Sequence, residues 1–399
     1  MQATKTDDAP VVTGNDINDH IKEGFQDMLF YHKQYETLAN IPHYTGNQYV
    51  DELMATAKSL ATPGKGILAS DESTGTIGNR FSQIGVENTH KNRIAYRQLL
   101  FEAPEIEKYI SGAILYDETA RDKDSNGKQF VQGLAERGII PGIKIDIGMS
   151  VIQGTKDETA TMGLDGMNER AQEYYSMGIR FAKWRAVIKI DEATGCPSEQ
   201  AIQETAHSLA RYGSICQHAG LVPIIEPEIL SDGSHSIQKC AEVSERVYNA
   251  VQSAIIQNHL IQEGLLWKPN MVTQGAECKD ETSPEEVAFY TVRTLSRTIP
   301  PSVPGITFLS GGQPEETASQ NLNAINKLAF PKHPWNMSFS FGRALQTSVL
   351  KEWKGQPEGV KAAQDALLER CKSNGLSALG KYEGGTGSTE SDYVANYRY

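Results

Sequence analysis

Gly264-Leu265-Leu266-Trp267-Lys268-Pro269-Asn270-Met271 reads as a short buried strand that delivers a lysine at its end. Proline cannot donate to a sheet ladder, so Pro269 belongs at the end of the strand. It also holds Lys268 extended. A lysine carried out of an apolar run loses hydration, which favours its neutral form. A neutral amine can attack a carbonyl and form a Schiff base. A lone lysine at a strand end is more often one that snorkels to solvent. The rest of the chain has to decide between the two.

Working outward, the stretch is the sixth of eight similar runs. The others are Gly66 to Ala69, Gly112 to Tyr116, Gly142 to Asp146, Arg180 to Ile190, Leu221 to Ile229, Gly305 to Ser310 and Met337 to Phe341. Helical patterns fill most of the gaps. Ser198 caps a stripe of Ile202, Ala206, Leu209 and Cys216, with Gly220 as its stop. Ser283-Pro284-Glu285-Glu286 is a capping box with proline at the first helical position. A third stripe runs through Val243, Val247, Val251 and Ala254. Alternating strands and helices imply right-handed βαβ units and a parallel sheet. Eight strands are the count of an α/β (β/α)8 TIM barrel. An open doubly wound sheet is the runner-up, but G-x-G-x-x-G after a strand is missing. Residues 46–380 are expected to form the barrel, with a polar N-terminal extension at 1–45 and a flexible C-terminal tail at 381–399. Ile21 to Leu38 suggests an amphipathic helix within the extension.

The 399 residues are 39% hydrophobic and 22% charged, ordinary for a soluble globular enzyme. A net charge of −12 argues against nucleic-acid binding. No apolar run is long enough to span a membrane, and the start lacks the regions of a signal peptide. Cys196, Cys216, Cys240, Cys278 and Cys371 form no C-x-x-C pair. This suggests reduced thiols in an intracellular protein without a zinc site.

In a barrel the active site lies at the C-terminal ends of the strands. The first run ends on Asp71, Glu72 and Ser73, the third on Lys144 and Asp146, and the fourth contains Lys183 and Arg185. The fifth carries Glu226 and Glu228, with Pro227 expected to place them at the strand end. Strand alternation puts the members of each pair on one face. Any one pair could be an ordinary buried ion pair. Four cations and several carboxylates on the strand ends of one barrel instead suit acid–base work on a polyanion. Ser310-Gly311-Gly312 and Ser340-Phe341-Gly342-Arg343 follow strands seven and eight, the usual phosphate site of this fold. Their glycines let backbone N–H groups approach an anion, and Arg343 suits bidentate phosphate contact. A second anion site is expected near Ser73, Thr76 and Arg80, across the mouth.

These motifs together resemble one family, class I (Schiff-base) fructose-1,6-bisphosphate aldolase, from about Tyr49 to the C-terminus. The matching stretches are Gly64 to Gly75, Phe181 to Arg185, Val222 to Leu230, Leu266 to Met271, Phe308 to Gln313 and Ser338 to Gln346. The resemblance implies a cytosolic glycolytic enzyme, usually a homotetramer, that needs no metal or other cofactor. It would cleave fructose 1,6-bisphosphate reversibly to dihydroxyacetone phosphate and glyceraldehyde 3-phosphate. It implies Lys268 as the imine-forming residue and Asp71 as base for the C4 hydroxyl. Glu226 is implied as acid and base in making and hydrolysing the imine, supported by Glu228 and Lys183. Lys144, Arg185, Ser310, Gly311, Gly312, Ser340, Gly342 and Arg343 are implied along the substrate, and Ser73, Thr76 and Arg80 at its far phosphate. Tyr399 takes the place of the family's tail tyrosine, with Gly384 to Ser391 as its flexible lead-in. The long extension, Thr76, Asn79 and Ile147 depart from the family pattern and are expected to adjust affinity.

Two competing readings stand beside this one. A transaldolase-like barrel is disfavoured by the two phosphate loops and the terminal tyrosine. A barrel adaptor for actin or acidic peptide tails could act in addition to catalysis or in its place. The intact Lys268, Glu226 and Asp71 favour retained catalysis.

Overall fold

The computed structural model describes residues 47–328 and 333–395. The expected extension, with its helix at Ile21 to Leu38, and Tyr399 lie outside the described residues. The strands are β1 (Gly66–Ser70), β2 (Ile110–Leu115), β3 (Ile140–Lys144), β4 (Met149–Val151), β5 (Thr159–Thr161), β6 (Phe181–Ile188), β7 (Val222–Ile229), β8 (Leu266–Trp267), β9 (Gly305–Phe308) and β10 (Asn336–Phe341). All but β4 and β5 close into one parallel barrel in the order β1-β2-β3-β6-β7-β8-β9-β10. Each of the eight expected runs supplies one barrel strand. The antiparallel pair β4–β5 is additional, and its short, mostly polar strands carry no run that marks them.

Helices cover the outside for the expected reasons. Ser198 caps the helix Glu199–His218 by accepting from the Ala201 N–H at 3.1 Å. Gly220 follows with φ of 86°, a left-handed turn that ends it. The box at Ser283 and Glu286 opens Pro284–Thr298. The stripe on Ile237–Gln257 buries Val243, Val247, Val251 and Ala254. Between strands and helices, Trp184 stacks on Tyr212 with ring centroids 5.5 Å apart. The Tyr212 hydroxyl donates to the Ala182 and Ile224 carbonyls, which ties this helix to both strands. Burying each such side chain contributes on the order of 2–3 kcal/mol.

Two details of the strands differ from expectation. β8 has only two residues, so Lys268 lies just past it, with its N–H on the Ile225 carbonyl at 2.8 Å. β7 does not end near Pro227 but runs on to Ile229, paired with β6 throughout. The Lys268 contact shows that Ile225 faces β8, while Leu230 donates to Ile188 of β6. Odd-numbered residues of β7 therefore face β8, and the N–H that Pro227 lacks would point past the end of that short strand. Proline costs the ladder nothing there.

Candidate functional site

Alternation along β6 turns Trp184 outward and Lys183 and Arg185 inward. Register then sets the partners. Lys183 lies beside Ile224 and Arg185 beside Glu226 in the β6–β7 ladder. Barrel strands tilt against the axis, so residues at one height are offset in register. Lys183 accordingly reaches Glu226 at 3.5 Å, and Arg185 reaches Glu228 at 2.6 Å. Across β8, Lys268 Nζ lies 3.2 Å from Glu226 Oε1. Lys183 also meets Asp71, just past β1, at 2.8 Å. Lys268, Glu226, Lys183 and Asp71 are thus one continuous chain of alternating charge. Lys183 is 0% exposed, so this layer is out of water.

The layer fixes charge states. Burial works to raise the Asp71 carboxyl, but the charges of Lys183, Lys268 and Lys144 and the hydrogen bond from Lys183 outweigh it and hold it at about 2. Burial likewise works against ionised Glu228, and Arg185, Arg343 and Lys268 together bring its pKa below the ordinary value. Lys268 does not project into the apolar surroundings that its strand suggested. Its Nζ faces the Glu226 carboxylate instead.

One cleft collects most of the expected site. Asp71, Glu226, Glu228, Lys268 and Arg185 line it. Ser310, Gly311, Ser340, Gly342, Arg343 and Arg80 complete the lining. Lys183 lies beneath the floor, where it ties Asp71 to Glu226. The buried Ser340 hydroxyl has no partner among the described residues. A buried polar atom left in this state suits a site built for a polar ligand.

The second expected anion site is not assembled as expected. Ser73 caps the helix Thr74–Gln83, and its Oγ lies 3.0 Å from Thr76 Oγ1. Ser73 faces a side cleft that also holds Lys144, Arg121 and Arg170, and Lys144 pairs there with Asp146. Thr76 faces a different cleft, under residues 391–394. Arg80 is not across the mouth from Arg343 but beside it, lining the same two clefts. Closure explains this, because β1 pairs with β10 and the helices that follow them start as neighbours. Arg80 is also held by Glu72, whose other oxygen takes Arg97 at 2.7 Å. The first-strand Glu72 is therefore a buried anchor for two arginines.

Gly311 and Gly312 have φ of 60° and 86°, the left-handed turn that their loop requires. Gly312 faces the adjacent cleft rather than the main one. The C-terminal segment crosses here. Arg343 Nη1 donates to the Asp392 carbonyl at 2.6 Å, and the Tyr393 hydroxyl donates to Asp232 at 3.1 Å. Glu315 and Glu316, which the sequence reading passed over, hold residues 385–388 through their backbone N–H groups. Acidic residues in the first turn of a helix are common, so the sequence offered little signal for them. Of metal-type ligands among the described residues, only His90, Glu118 and Asp122 come together as a group of three. Arg93 already holds both oxygens of Glu118 at 2.7 Å.

The comparisons with known proteins agree with one another. A family model described as class-I fructose-bisphosphate aldolase matches residues 52–399. Fructose-bisphosphate aldolase 1 of Toxoplasma gondii is 57% identical over 336 residues, covering 84% of this chain and 92% of its own. The cytosolic fructose-bisphosphate aldolase 5 of Arabidopsis thaliana is 56% identical over 356 residues, covering 88% of this chain and 98% of its own. Among solved structures, the aldolase of Plasmodium falciparum in complex with TRAP and a small-molecule inhibitor has a TM-score of 0.83 at 53% identity. That match covers 84% of this chain and 96% of the other. With its closed barrel and its cleft of one lysine, arginines and carboxylates, the chain belongs to the class-I fructose-bisphosphate aldolase family.

Proposed function

We propose that Lys268 carries the reaction as an imine with the C2 ketone of fructose 1,6-bisphosphate. The observation behind this reading is the buried chain from Lys268 through Glu226 and Lys183 to Asp71, with links of 3.2, 3.5 and 2.8 Å. Glu226 takes a proton from the Lys268 ammonium, and the freed amine adds to the carbonyl. Glu226 returns the proton to the departing hydroxyl, and water leaves. Asp71 then takes the C4 hydroxyl proton as the C3–C4 bond breaks, and the electron pair enters the iminium to give an enamine. Glyceraldehyde 3-phosphate departs. Protonation at C3, assigned to Tyr399, and hydrolysis then release dihydroxyacetone phosphate. Held at about 2, Asp71 is ionised at every working pH and is always ready to accept. Its basicity is low, so the drive comes from the iminium as electron sink.

Ser310, Gly311, Gly342 and Arg343 would take one phosphate, with Ser340 and Arg185 along the chain of the sugar. Ser73 and Lys144, which share a side cleft, would serve the other end, with Arg80 joining Arg343 at the first. A cytoplasmic homotetramer working in glycolysis and gluconeogenesis accords with this reading. The cytosolic names of relatives support the location. No helix among the described residues is long and apolar enough to cross a membrane. Binding of actin or acidic peptides as a replacement for catalysis is not favoured, because Lys268, Glu226 and Asp71 are present and joined.

Borohydride reduction in the presence of fructose 1,6-bisphosphate and EDTA tests the mechanism. The expected result is one adduct, mapped by mass spectrometry to Lys268. Cleavage that EDTA abolishes, with no adduct, would overturn the reading in favour of a metal-dependent aldolase.

A further inference from the structure

Helix Glu315–Lys327 begins with two buried carboxylates, 0% and 7% exposed. Neither belongs to the chain of charge described above. Glu316 Oε1 accepts from the Gly385 N–H at 2.9 Å, and Oε2 from the Gly387 N–H at 3.1 Å and the Thr386 N–H at 3.3 Å. The Tyr382 hydroxyl adds a bond of 2.6 Å to Oε2. Glu315 accepts from the Ser388 N–H at 3.1 Å and, on its other side, from Ser348. Arg370 Nη1 reaches the Thr386 hydroxyl at 3.0 Å from behind. Burial disfavours an ionised Glu316, yet these bonds bring its pKa below the ordinary value. A glycine-rich segment needs no such cluster merely to leave a helix.

We propose that Glu316, backed by Glu315, is a positioning residue that pins the root of the C-terminal tail, so that the chain beyond Ser388 leaves from a fixed point. This rests on the reading of Tyr399 as the tail's proton carrier. From Ser388 to Tyr399 is 11 residues, whereas from Tyr382, whose backbone is bonded to Asn323 independently of Glu316, it is 17. Effective concentration at the end of a flexible tether falls roughly as the −3/2 power of its length, so unpinning should lower it about twofold. The path past the root supports this. Tyr393 lies over Gly312, and Arg343 holds the Asp392 carbonyl, so the pinned segment already leads across the phosphate loop.

The test uses the full chain with Glu316→Gln, and Tyr382→Phe as a milder variant on the tail side. A glutamine keeps the shape but turns an NH2 toward one set of tail donors, whichever way it is flipped. Three readouts are compared: exchange of the C3 proton of dihydroxyacetone phosphate, borohydride trapping at Lys268, and cleavage of the tail by limited proteolysis. We expect the maximal rate of exchange to fall about twofold for Glu316→Gln, with KM and trapping unchanged and the tail cut faster. Tyr382→Phe should shift the same readouts in the same direction by less. Tail cleavage at the wild-type rate in both variants overturns the anchor. So does unchanged exchange in both when Tyr399→Phe slows it. If Tyr399→Phe exchanges like wild type, the tyrosine assignment fails instead, and proteolysis alone judges the anchor.

Discussion

Along β6, β7 and β8 the molecule holds charge with side chains fixed two residues apart on strands. After β9 and β10 it holds an anion-type site with turns, glycines and a segment that returns from the C-terminus. In the first region each charged group has a partner whose identity follows from register, as Arg185 with Glu228 and Lys268 with Glu226. In the second, Arg343 meets a backbone carbonyl, and the Ser340 hydroxyl has no partner among the described residues. The proposed reaction asks the first part to keep its charges in place and the second to exchange one partner for another. A buried ion pair on rigid strands is costly to break. On that reading a phosphate would replace the neutral tail carbonyl on the Arg343 guanidinium.

The largest effect should come from removing the cation shared by both carboxylates. Lys183→Met leaves Asp71 and Glu226 buried with Lys268 and, for Asp71, Lys144 as the remaining cations. The loss expected is about 3–5 kcal/mol of unfolding free energy, with no imine trapped at Lys268. Denaturant unfolding and borohydride trapping read the two losses. A variant as stable as wild type would show that the layer is not held by these pairs.

Acid gives a smaller effect in the same region. The folded-state pKa of Asp71 is lowered to about 2 from the ordinary 3.8. Its contribution is therefore complete above the ordinary value and is lost as pH falls toward 2. It amounts to about 2 kcal/mol. Unfolding free energy measured from about pH 5 down to about pH 2 should fall less steeply in Asp71→Asn than in wild type. Equal slopes would mean that the carboxylate gains nothing from Lys183.

The same division governs what the sequence discloses. The eight barrel strands are apolar runs because parallel strands are covered on both faces, and alternation alone puts Lys183 with Arg185 and Glu226 with Glu228. The brevity of β8 is not legible, since apolar Leu265 precedes its two paired residues and Met271 and Val272 resume the run beyond Lys268 and Asn270. The position of Arg80 is hidden for another reason. Closure brings β1 against β10, with Ile67 paired to Ser340, and nothing local to Arg80 records that. Glu316 looks like any acid in a first helical turn. Its partners lie about 70 residues later in a stretch whose composition suggests only flexibility.

The smallest effect separates strain from tail contact on the second side of the mouth. Gly311 and Gly312 both have left-handed φ, so an alanine at either costs about 1–2 kcal/mol. Their surroundings differ. A Cβ at Gly311 would lie 3.4 Å from the nearest atom, a Leu309 methyl, which is ordinary contact. A Cβ at Gly312 would lie 2.9 Å from Tyr393 Cα, so the backbone of the tail must move. Gly312→Ala should therefore lower fructose 1,6-bisphosphate turnover a further twofold or so below Gly311→Ala, on the scale of a slightly misplaced group, at similar stability. Stability by thermal unfolding and turnover at saturating substrate measure the two quantities separately. If both alanines reduce turnover equally, the tail's seat on Gly312 has no part in catalysis, and the two sides of the mouth differ in structure without differing in what they ask of the tail.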